Sequence, residues 1–401
     1  MKVAIVGAGA AGFFTAINVK ENYPNAEVII FEKTSKILAK VKISGGGRCN
    51  VTNGCTDIEL LSRAYPRGQK FLKRLFYTFN TQHTLDWFKS KNVALITQKD
   101  GCVFPESQQS QTIIDCFLEE SKRLEIQIKL NSAVLGLEEV SNKIELNFKD
   151  ESLVFDKVIL TTGGSPKRKN LEWLEKLGHE IIDPVPSLFT FNMPNEEVIE
   201  LMGIVVEKTI VTIQGTKLKS SGPLLITHWG MSGPAILKLS AFGARILSDS
   251  DYDFKIQVNW VDEINNEIVK KELLEIVKLN PNKQLQKIKP YALPNRLWGY
   301  FLKKINLPLD KKWSELGNKG INKLVNILTN DVYSITGKTT FKEEFVTCGG
   351  ISLKSIHSKT LESKSVSNLY FAGELLDIDG ITGGYNFQAA WTTAVVSAQL
   401  K

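Results

Sequence analysis

The sequence predicts an α/β fold whose dinucleotide-binding layer is assembled from both ends of the chain, with the middle of the chain inserted into it. Three observations carry this. The chain opens on an apolar run, three glycines at G-x-G-x-x-G spacing (Gly7, Gly9, Gly12), a helix-like segment to about Glu21 and a second apolar run, Glu27–Phe31, closed by Glu32. It ends on a strand-like run, Asn368–Gly373, a glycine-rich turn and a last helix. Between these, from about Pro184, the pattern changes to short alternating runs and then to a basic helical stretch.

Each part of the opening stretch has a physical job. Gly7 permits a tight turn, Gly9 lets backbone approach a pyrophosphate, and Gly12 packs helix against strand. The helix that starts at Ala10 and Ala11 offers unpaired N–H groups to phosphate oxygens. Glu32 lies 20 residues after Gly12 and, with Lys33 beside it, is placed to accept hydrogen bonds from a ribose diol.

At 401 residues the chain has room for two or three domains, and its composition is that of an ordinary soluble protein. Met1 and Lys2 lead straight into the first strand, which leaves no room for a secretory leader. No apolar run reaches membrane-spanning length. The five cysteines (Cys49, Cys55, Cys102, Cys116, Cys348) form no C-x-x-C pair, which predicts a reducing, cytoplasmic setting. The four histidines (His83, His179, His228, His357) are scattered, so no metal site is expected. Net charge is +7, and its distribution says more than its size.

The next motif runs Lys42, Ser44, Gly45, Gly46, Gly47, Arg48, Cys49, Asn50, Thr52, Asn53. Three glycines followed by Arg, Asn and Thr suit backbone amides and an arginine wrapped round a second phosphate or a flavin ring. A Gly-Gly-Arg element in this position favours FAD over NAD. Flavin disulfide reductases place a C-x-x-x-x-C pair here; Cys49 and Cys55 are one residue further apart and read as isolated thiols in a binding loop.

Residues 60–125 read as helices whose aromatic stripes (Phe71, Phe76, Phe79, Trp87, Phe88) serve a core, interrupted by a hairpin at Val93–Ile96 and Cys102–Phe104. Ile126–Leu130, Ser132–Leu137, Ile144–Phe148 and Leu153–Leu160 read as four strands. Val134 is the candidate for a backbone contact with adenine, and the turn Thr161, Thr162, Gly163, Gly164 lets main chain pass close to the dinucleotide. A second complete G-x-G-x-x-G is absent, so NADPH or NADH, if used, visits transiently. Phe189–Asn192, Ile204–Gln214, Leu224–Thr227 and Phe254–Val258 read as short strands of a β domain. Its motif Thr227, His228, Trp229, Gly230, Ser232, Gly233, Pro234 precedes a helix, Ile236–Ser248, with Pro near its start. His228 is either a pocket residue or a hydrogen-bonded turn histidine.

Residues 262–330 hold 13 Lys/Arg against 7 Asp/Glu, a net of +6, so nearly all the excess charge resides there. Such a stretch serves a polyanion or is a solvated helical face. The chain returns through Glu344–Ile351 to Gly373, Glu374 and Asp377, the pattern by which FAD domains hold a ribityl chain. Gly383, Gly384, Tyr385 and Asn386 then open the last helix, whose N-terminus would face the flavin N1/O2 region.

Together the motifs at Ser44–Asn50, Thr227–Ala235 and Gly373–Asn386 resemble the YhiN/BaiN-like family of bacterial flavoproteins, also known as the aminoacetone oxidase family of FAD-binding enzymes. The resemblance covers the whole chain. It implies a Rossmann-type FAD-binding domain (1–186 and 340–401), an inserted β-barrel-like domain (187–260 and 331–339) and a small helical, basic domain nested within that (261–330). It also implies links to dihydrouridine formation in ribosomal RNA, oxidation of small amines or reduction of steroids. Two departures stand out. Lys167–Asn170 replaces the longer loop usual after Thr162-Gly163, and Cys102 replaces an arginine.

Three functions follow as expectations: an FAD oxidoreductase that uses NAD(P)H to reduce a uracil base in ribosomal RNA, one acting on a small amine or enone, or an FAD-containing binding protein without catalysis. His228 and Cys49 are the candidate proton donors.

Overall fold

The computed structural model describes residues 1–340 and 346–401; Glu344 and Phe345, read from sequence as the start of the returning run, lie outside the described residues. The chain divides into two compact units, one formed by Met1–Ser187 with the C-terminal segment to Lys401, the other by Leu188–Thr340.

The first unit is built on a five-stranded parallel sheet in the spatial order Leu369–Phe371, Lys157–Leu160, Lys2–Val6, Glu27–Phe31, Gln127–Lys129. In chain order this is fifth, fourth, first, second, third, a doubly wound arrangement whose order reverses beside the first strand. Strand residues alternate between two cores. Val3 and Ile5 face Phe13, Phe14, Phe88, Phe117 and Trp391 on one side. Ala4 and Val6 face Leu146, Phe155, Phe371 and Leu375 on the other. Both faces are covered, which is why these strands read as continuous apolar runs.

The first helix, Ala10–Asn22, and the last, Tyr385–Ser397, pack together with the buried Trp391, whose indole Nε1 donates to the Val51 carbonyl at 2.9 Å. Two expected strands are redrawn. Leu153–Leu160 is two strands: Ser152–Phe155 completes an antiparallel meander with Gly136–Val140 and Lys143–Asn147, and Lys157–Leu160 joins the parallel sheet. They part at Asp156, whose carboxylate accepts the Lys2 N–H at 2.6 Å and pairs with Lys143 at 2.8 Å. Ser132–Leu137 is extended chain that enters strand only at Gly136, because Ser132 bonds instead to the Glu32 carbonyl.

In the second unit an antiparallel sheet runs Asp331–Thr336, Asp253–Asn259, Val205–Ile213, Lys219–Ile226, Gly230–Ser232, Thr190–Asn192, Lys338–Thr339. Its first and last members are consecutive in the chain, joined at Gly337. The Gly337 N–H donates to the Tyr252 carbonyl at 2.8 Å and its own carbonyl accepts from Asn192 at 3.1 Å, so one bent strand closes the sheet into a barrel. The helices Asn266–Leu279, Asn295–Lys304 and Gly317–Thr329 share one core with that sheet, through Trp260, Leu273, Trp298, Phe301 and Tyr333. Buried Asp331 ties the two layers. Its carboxylate accepts from Trp260 Nε1 at 3.0 Å, from Lys304 Nζ at 2.6 Å and from the Tyr333 hydroxyl. Among the described residues no helix is long and apolar enough to cross a membrane.

Candidate nucleotide-binding site

The glycine motif forms a turn between the first strand and the first helix, and each glycine meets a different constraint. Gly7 has φ +113°, and a Cβ there would lie 2.6 Å from the Thr161 carbonyl oxygen. A Cβ on Gly12 would lie 1.9 Å from the Gly7 oxygen, so helix and strand touch backbone to backbone. At Gly9 nothing in the protein lies within 4 Å of that point. The helix beginning at Ala10 has no side-chain cap, which leaves its first N–H groups directed at the open side of Gly9. Ala11 packs against Gly373, where a Cβ would come within 2.8 Å of its own.

Thr161, read from sequence only as part of a turn that passes the dinucleotide, clamps the glycine turn with its side chain. Its buried hydroxyl lies 3.0 Å from the Val6 carbonyl and 2.9 Å from that of Gly7, and its N–H donates to Val6 at 2.8 Å. Thr162, exposed, and Gly163, with nothing within 4 Å of a Cβ, continue past it as open backbone.

Glu32 reaches back to the same turn: one carboxylate oxygen accepts the Ala8 N–H at 3.1 Å and the other accepts the Thr34 N–H and hydroxyl, both at 2.9 Å. Lys33 beside it is exposed. The chain at Asn131 and Ser132 is held against Thr34 and Glu32 by hydrogen bonds of 3.1 and 2.8 Å. Val134 follows two residues on, and among the described residues its main-chain N–H and carbonyl have no hydrogen-bond partner.

The second glycine run is a left-handed turn. Gly45, Gly46 and Gly47 have φ +59°, +68° and +85°, where side chains are disfavoured. It ends the helix that starts at Ala39, and Lys42 on that helix is exposed. Around Gly46 and Gly47 no protein atom lies within 4 Å of a Cβ position. Ser44 turns inward and its hydroxyl donates to the Val41 carbonyl at 3.0 Å. The Arg48 guanidinium lies 4.1 Å above the Phe104 ring and its Nε donates to Gly45 at 3.2 Å, so it braces the turn.

Cys49 requires a correction as a proton donor. It is fully buried among the core side chains, and burial pushes its thiol up to about 12. A thiol held this weakly acidic and closed off from any substrate packs in the core and does not deliver a proton. Cys49 and Cys55 are both free thiols.

Several polar residues of the motifs are engaged by the protein itself. The Asn53 amide donates to the Gly383 carbonyl at 3.0 Å, and the Asn50 amide oxygen accepts the Val103 N–H at 3.1 Å. Asn386 makes a two-point clasp on Gly380, accepting its N–H at 2.9 Å and donating to its carbonyl at 3.0 Å. The Tyr65 hydroxyl holds the Tyr385 carbonyl at 2.7 Å. A Cβ on Gly384 would lie 2.2 Å from the Thr52 carbonyl. These contacts fix the start of the last helix, which again lacks a side-chain cap.

Gly373 donates to the Thr393 hydroxyl at 2.9 Å. Glu374 is fixed by Lys40, 2.7 Å away, and by the Thr347 N–H at 2.9 Å. Asp377 is half-buried, its N–H on the Ile351 carbonyl at 2.9 Å. Two residues further, Asp379 is completely buried against Arg67, whose Nε donates at 2.5 Å, and against the Ser187 hydroxyl at 2.7 Å. Burial raises the Asp379 carboxyl and Arg67 opposes that. Lys40 and Arg67 were missed in the sequence because nothing local marks them; their partners come from remote segments.

His228 belongs to the second unit. It stands exposed with Trp229 on the turn between Lys219–Ile226 and Gly230–Ser232, the two rings 4.6 Å apart, and has no hydrogen-bond partner among the described residues. The rest of its motif is structural. The Thr227 hydroxyl closes the turn on Gly230, and a Cβ on Gly230 would meet the Phe191 carbonyl oxygen at 2.1 Å.

The first unit thus offers a run of open, uncapped main chain at Gly9, Gly46, Gly47, Gly163 and Val134, with an oriented carboxylate at Glu32. Those features fit a dinucleotide of the FAD type: backbone donors for phosphates, an acceptor for a ribose and a backbone edge for adenine. Among the described residues no group of His, Cys, Asp or Glu is arranged to hold a metal ion.

Comparison with known proteins agrees with this geometry. The family model described as HI0933-like protein Rossmann domain matches residues 1–400. The chain is 25% identical to the 3-dehydro-bile acid delta(4,6)-reductase of Clostridium scindens, over 99% of this chain and 98% of that protein. It is 28% identical to the ribosomal RNA dihydrouridine synthase of Escherichia coli, over 98% of this chain and 96% of that protein. Among solved structures, the 3-ketosteroid delta1-dehydrogenase of Sterolibacterium denitrificans shares the fold, with a TM-score of 0.52 at 10% identity over 99% of this chain and 98% of that one.

Proposed function

The chain belongs to the HI0933-like family and is an FAD-dependent oxidoreductase, and from that premise we propose that it reduces the uracil C5–C6 double bond of a uridine in ribosomal RNA, with NADPH or NADH as electron donor. One nicotinamide and one proton are consumed for each dihydrouridine formed, the C5–C6 double bond becoming single. FAD, when bound, supplies the two-electron chemistry between donor and substrate.

The protein's own groups hold and orient. The N–H groups of Gly9, Ala10 and Ala11 would hold the pyrophosphate, Glu32 would take the ribose, and the Val134 main chain would take the adenine. Lys33 and Lys42 add positive charge nearby. Ser44, Gly46, Gly47 and Arg48 shape the second turn, while Asn50 and Asn53 tie the chain after it to Val103 and Gly383. Thr162 and Gly163 let main chain pass the dinucleotide, and Gly373, Glu374 and Asp377 line the ribityl side. The N-terminus at Gly384, Tyr385 and Asn386 would present partial positive charge to a bound flavin ring. His228, exposed and unpartnered among the described residues, is the group we assign to deliver the proton. Replacement His228→Asn should lower turnover roughly 100-fold without changing FAD affinity; unchanged turnover would remove that role.

The observation that carries the RNA reading is the placement of charge: 13 Lys/Arg against 7 Asp/Glu within residues 262–330, as a polyanionic substrate requires. Similarity to two ribosomal RNA dihydrouridine synthases supports it. A second reading, reduction of a small enone, is favoured by similarity to the bile acid reductase; both substrates present a double bond conjugated to a carbonyl. Mass spectrometry of nuclease-digested ribosomal RNA from cells with and without the gene separates them. Loss of a uridine carrying two extra hydrogens in the deletion strain is the expected result. An unchanged profile, with enone reduction by the purified protein, would replace the first reading by the second.

A further inference from the structure

Two stretches of the second unit that are distant in sequence, 281–287 and 309–314, lie side by side. Leu285 N–H donates to the Lys311 carbonyl at 2.8 Å, Gln286 to Leu309 at 3.1 Å, Trp313 to Lys283 at 3.1 Å and Ser314 to Pro281 at 3.1 Å. The ribbon rests on a stiff platform. Trp298 and Trp313 are buried and stacked, 6.3 Å between ring centroids and 6° between planes, and Trp298 Nε1 donates to the Leu285 carbonyl at 2.8 Å. This pairing brings four lysines onto one short ribbon. Lys283, Lys287 and Lys312 are exposed and Lys311 half-exposed. The only carboxylate within those two stretches is Asp310.

Several other cations of the same helical region are engaged by the protein's own groups, whereas Lys270, Lys271, Lys278 and Lys319, on the helices Asn266–Leu279 and Gly317–Thr329, have no ion pair among the described residues and lie outside the ribbon. Lys304 pairs with Asp331 at 2.6 Å, Lys303 with Glu197 at 3.3 Å, Arg296 donates to the Glu200 carbonyl at 2.8 Å and Lys323 to that of Ile305 at 3.0 Å. The four ribbon lysines have no ion-pair partner among the described residues. Interleaved with them are the neutral amides Asn282, Gln284 and Gln286, suited to phosphate and sugar oxygens. Both indoles lie beneath the ribbon, so it offers no aromatic surface for stacking a base.

We infer that this ribbon is the surface on which the phosphate backbone of the RNA substrate docks, an anchor that reads charge and leaves base selection to other parts of the protein. The inference rests on the RNA reading above and locates it on four named side chains. The test uses the FAD-loaded full chain and transcribed ribosomal RNA, with affinity measured against salt concentration. Each phosphate neutralised contributes about 0.7 to 0.9 to the slope of log affinity on log salt. The variant K283A/K287A/K311A/K312A should therefore lose roughly 3 of that slope and bind more than about tenfold more weakly at low salt. Reduction of its bound flavin by NAD(P)H should stay as in the wild type, which shows that the fold is intact. A control with as many lysines removed elsewhere (K89A/K122A/K208A/K217A) should keep the slope.

If the wild type binds RNA with steep salt dependence and the ribbon variant keeps that slope, or if the control loses as much, the ribbon is not the docking surface while the RNA reading stands. If polyglutamate displaces the RNA at equal charge concentration, the surface is a general acidic-protein site and the inference falls. If the wild type shows no salt-dependent RNA binding, the RNA reading itself fails.

Discussion

Replacing Gly9 and Gly12 by alanine, three residues apart in one motif, should have opposite consequences. At Gly12 the added Cβ would sit 1.9 Å from the Gly7 carbonyl oxygen, more than an ångström inside contact, and 2.8 Å from the Thr161 hydroxyl. Neither neighbour can swing away: one is backbone and the other is bonded to Val6 and Gly7. The helix must move off the strand, at a cost we place above about 3 kcal/mol. At Gly9 the same methyl meets no protein atom within 4 Å. The apo protein should lose less than about 1 kcal/mol there, the difference between Gly and Ala at an N-cap. The open side of Gly9 is where a pyrophosphate must come within hydrogen-bonding distance of backbone. A methyl that costs about 1–3 kcal/mol in overlap would weaken FAD binding by roughly 5- to 150-fold. Thermal unfolding of the two apo variants, paired with FAD titration by fluorescence, checks both halves. For a unit of this size 1 kcal/mol is worth about 2–4 °C, so Gly12→Ala should drop by about 6 °C or more and Gly9→Ala by no more than about 4 °C. A Gly9→Ala protein that binds FAD like the wild type would refute the placement of the pyrophosphate.

Three further outcomes follow from the contacts. Cys49 should resist a thiol reagent in the native protein and react only on unfolding, with Cys55, partly exposed, modified first; peptide mass mapping reads the order. Asn386→Ala removes both bonds to Gly380, and the loss should be about 1–3 kcal/mol in urea unfolding, with weaker FAD binding, since the clasp fixes the start of the last helix. His179 is buried, its Nδ1–H donating to the Leu174 carbonyl (3.0 Å) and its Nε2 bonded to the Ser363 hydroxyl (2.8 Å), and burial lowers its pKa below the ordinary 6.5. Because the unfolded chain then binds the proton more readily, the stability this site contributes is complete above 6.5 and is lost as pH falls below it. Chemical denaturation across that range should show the decline, and His179→Asn should flatten it.

The sequence by itself determined the parts whose physics is local. The run from Val3 to Glu32 is one strand, one turn, one helix and one strand, and its three glycines, spaced by the turn they make, were legible without any partner. So were the glycine run before Arg48, the last helix after Gly384 and the concentration of lysine in residues 262–330. Only the tertiary structure decided which polar groups are free and which are occupied. Thr161 clamps a turn 154 residues away, Asn53 staples a carbonyl 330 away, and Lys40 meets Glu374 across 334. Cys49 looked reactive in its motif and is core, because the turn that follows three left-handed glycines faces its side chain inward. The lysines at 283, 287, 311 and 312 were a count in the sequence; hydrogen bonds between two remote stretches made them a surface. Periodicity and spacing record what neighbouring residues do to one another. Which hydrogen bonds close between distant segments depends on how the sheet orders its strands, and that order is fixed only when the whole chain has packed.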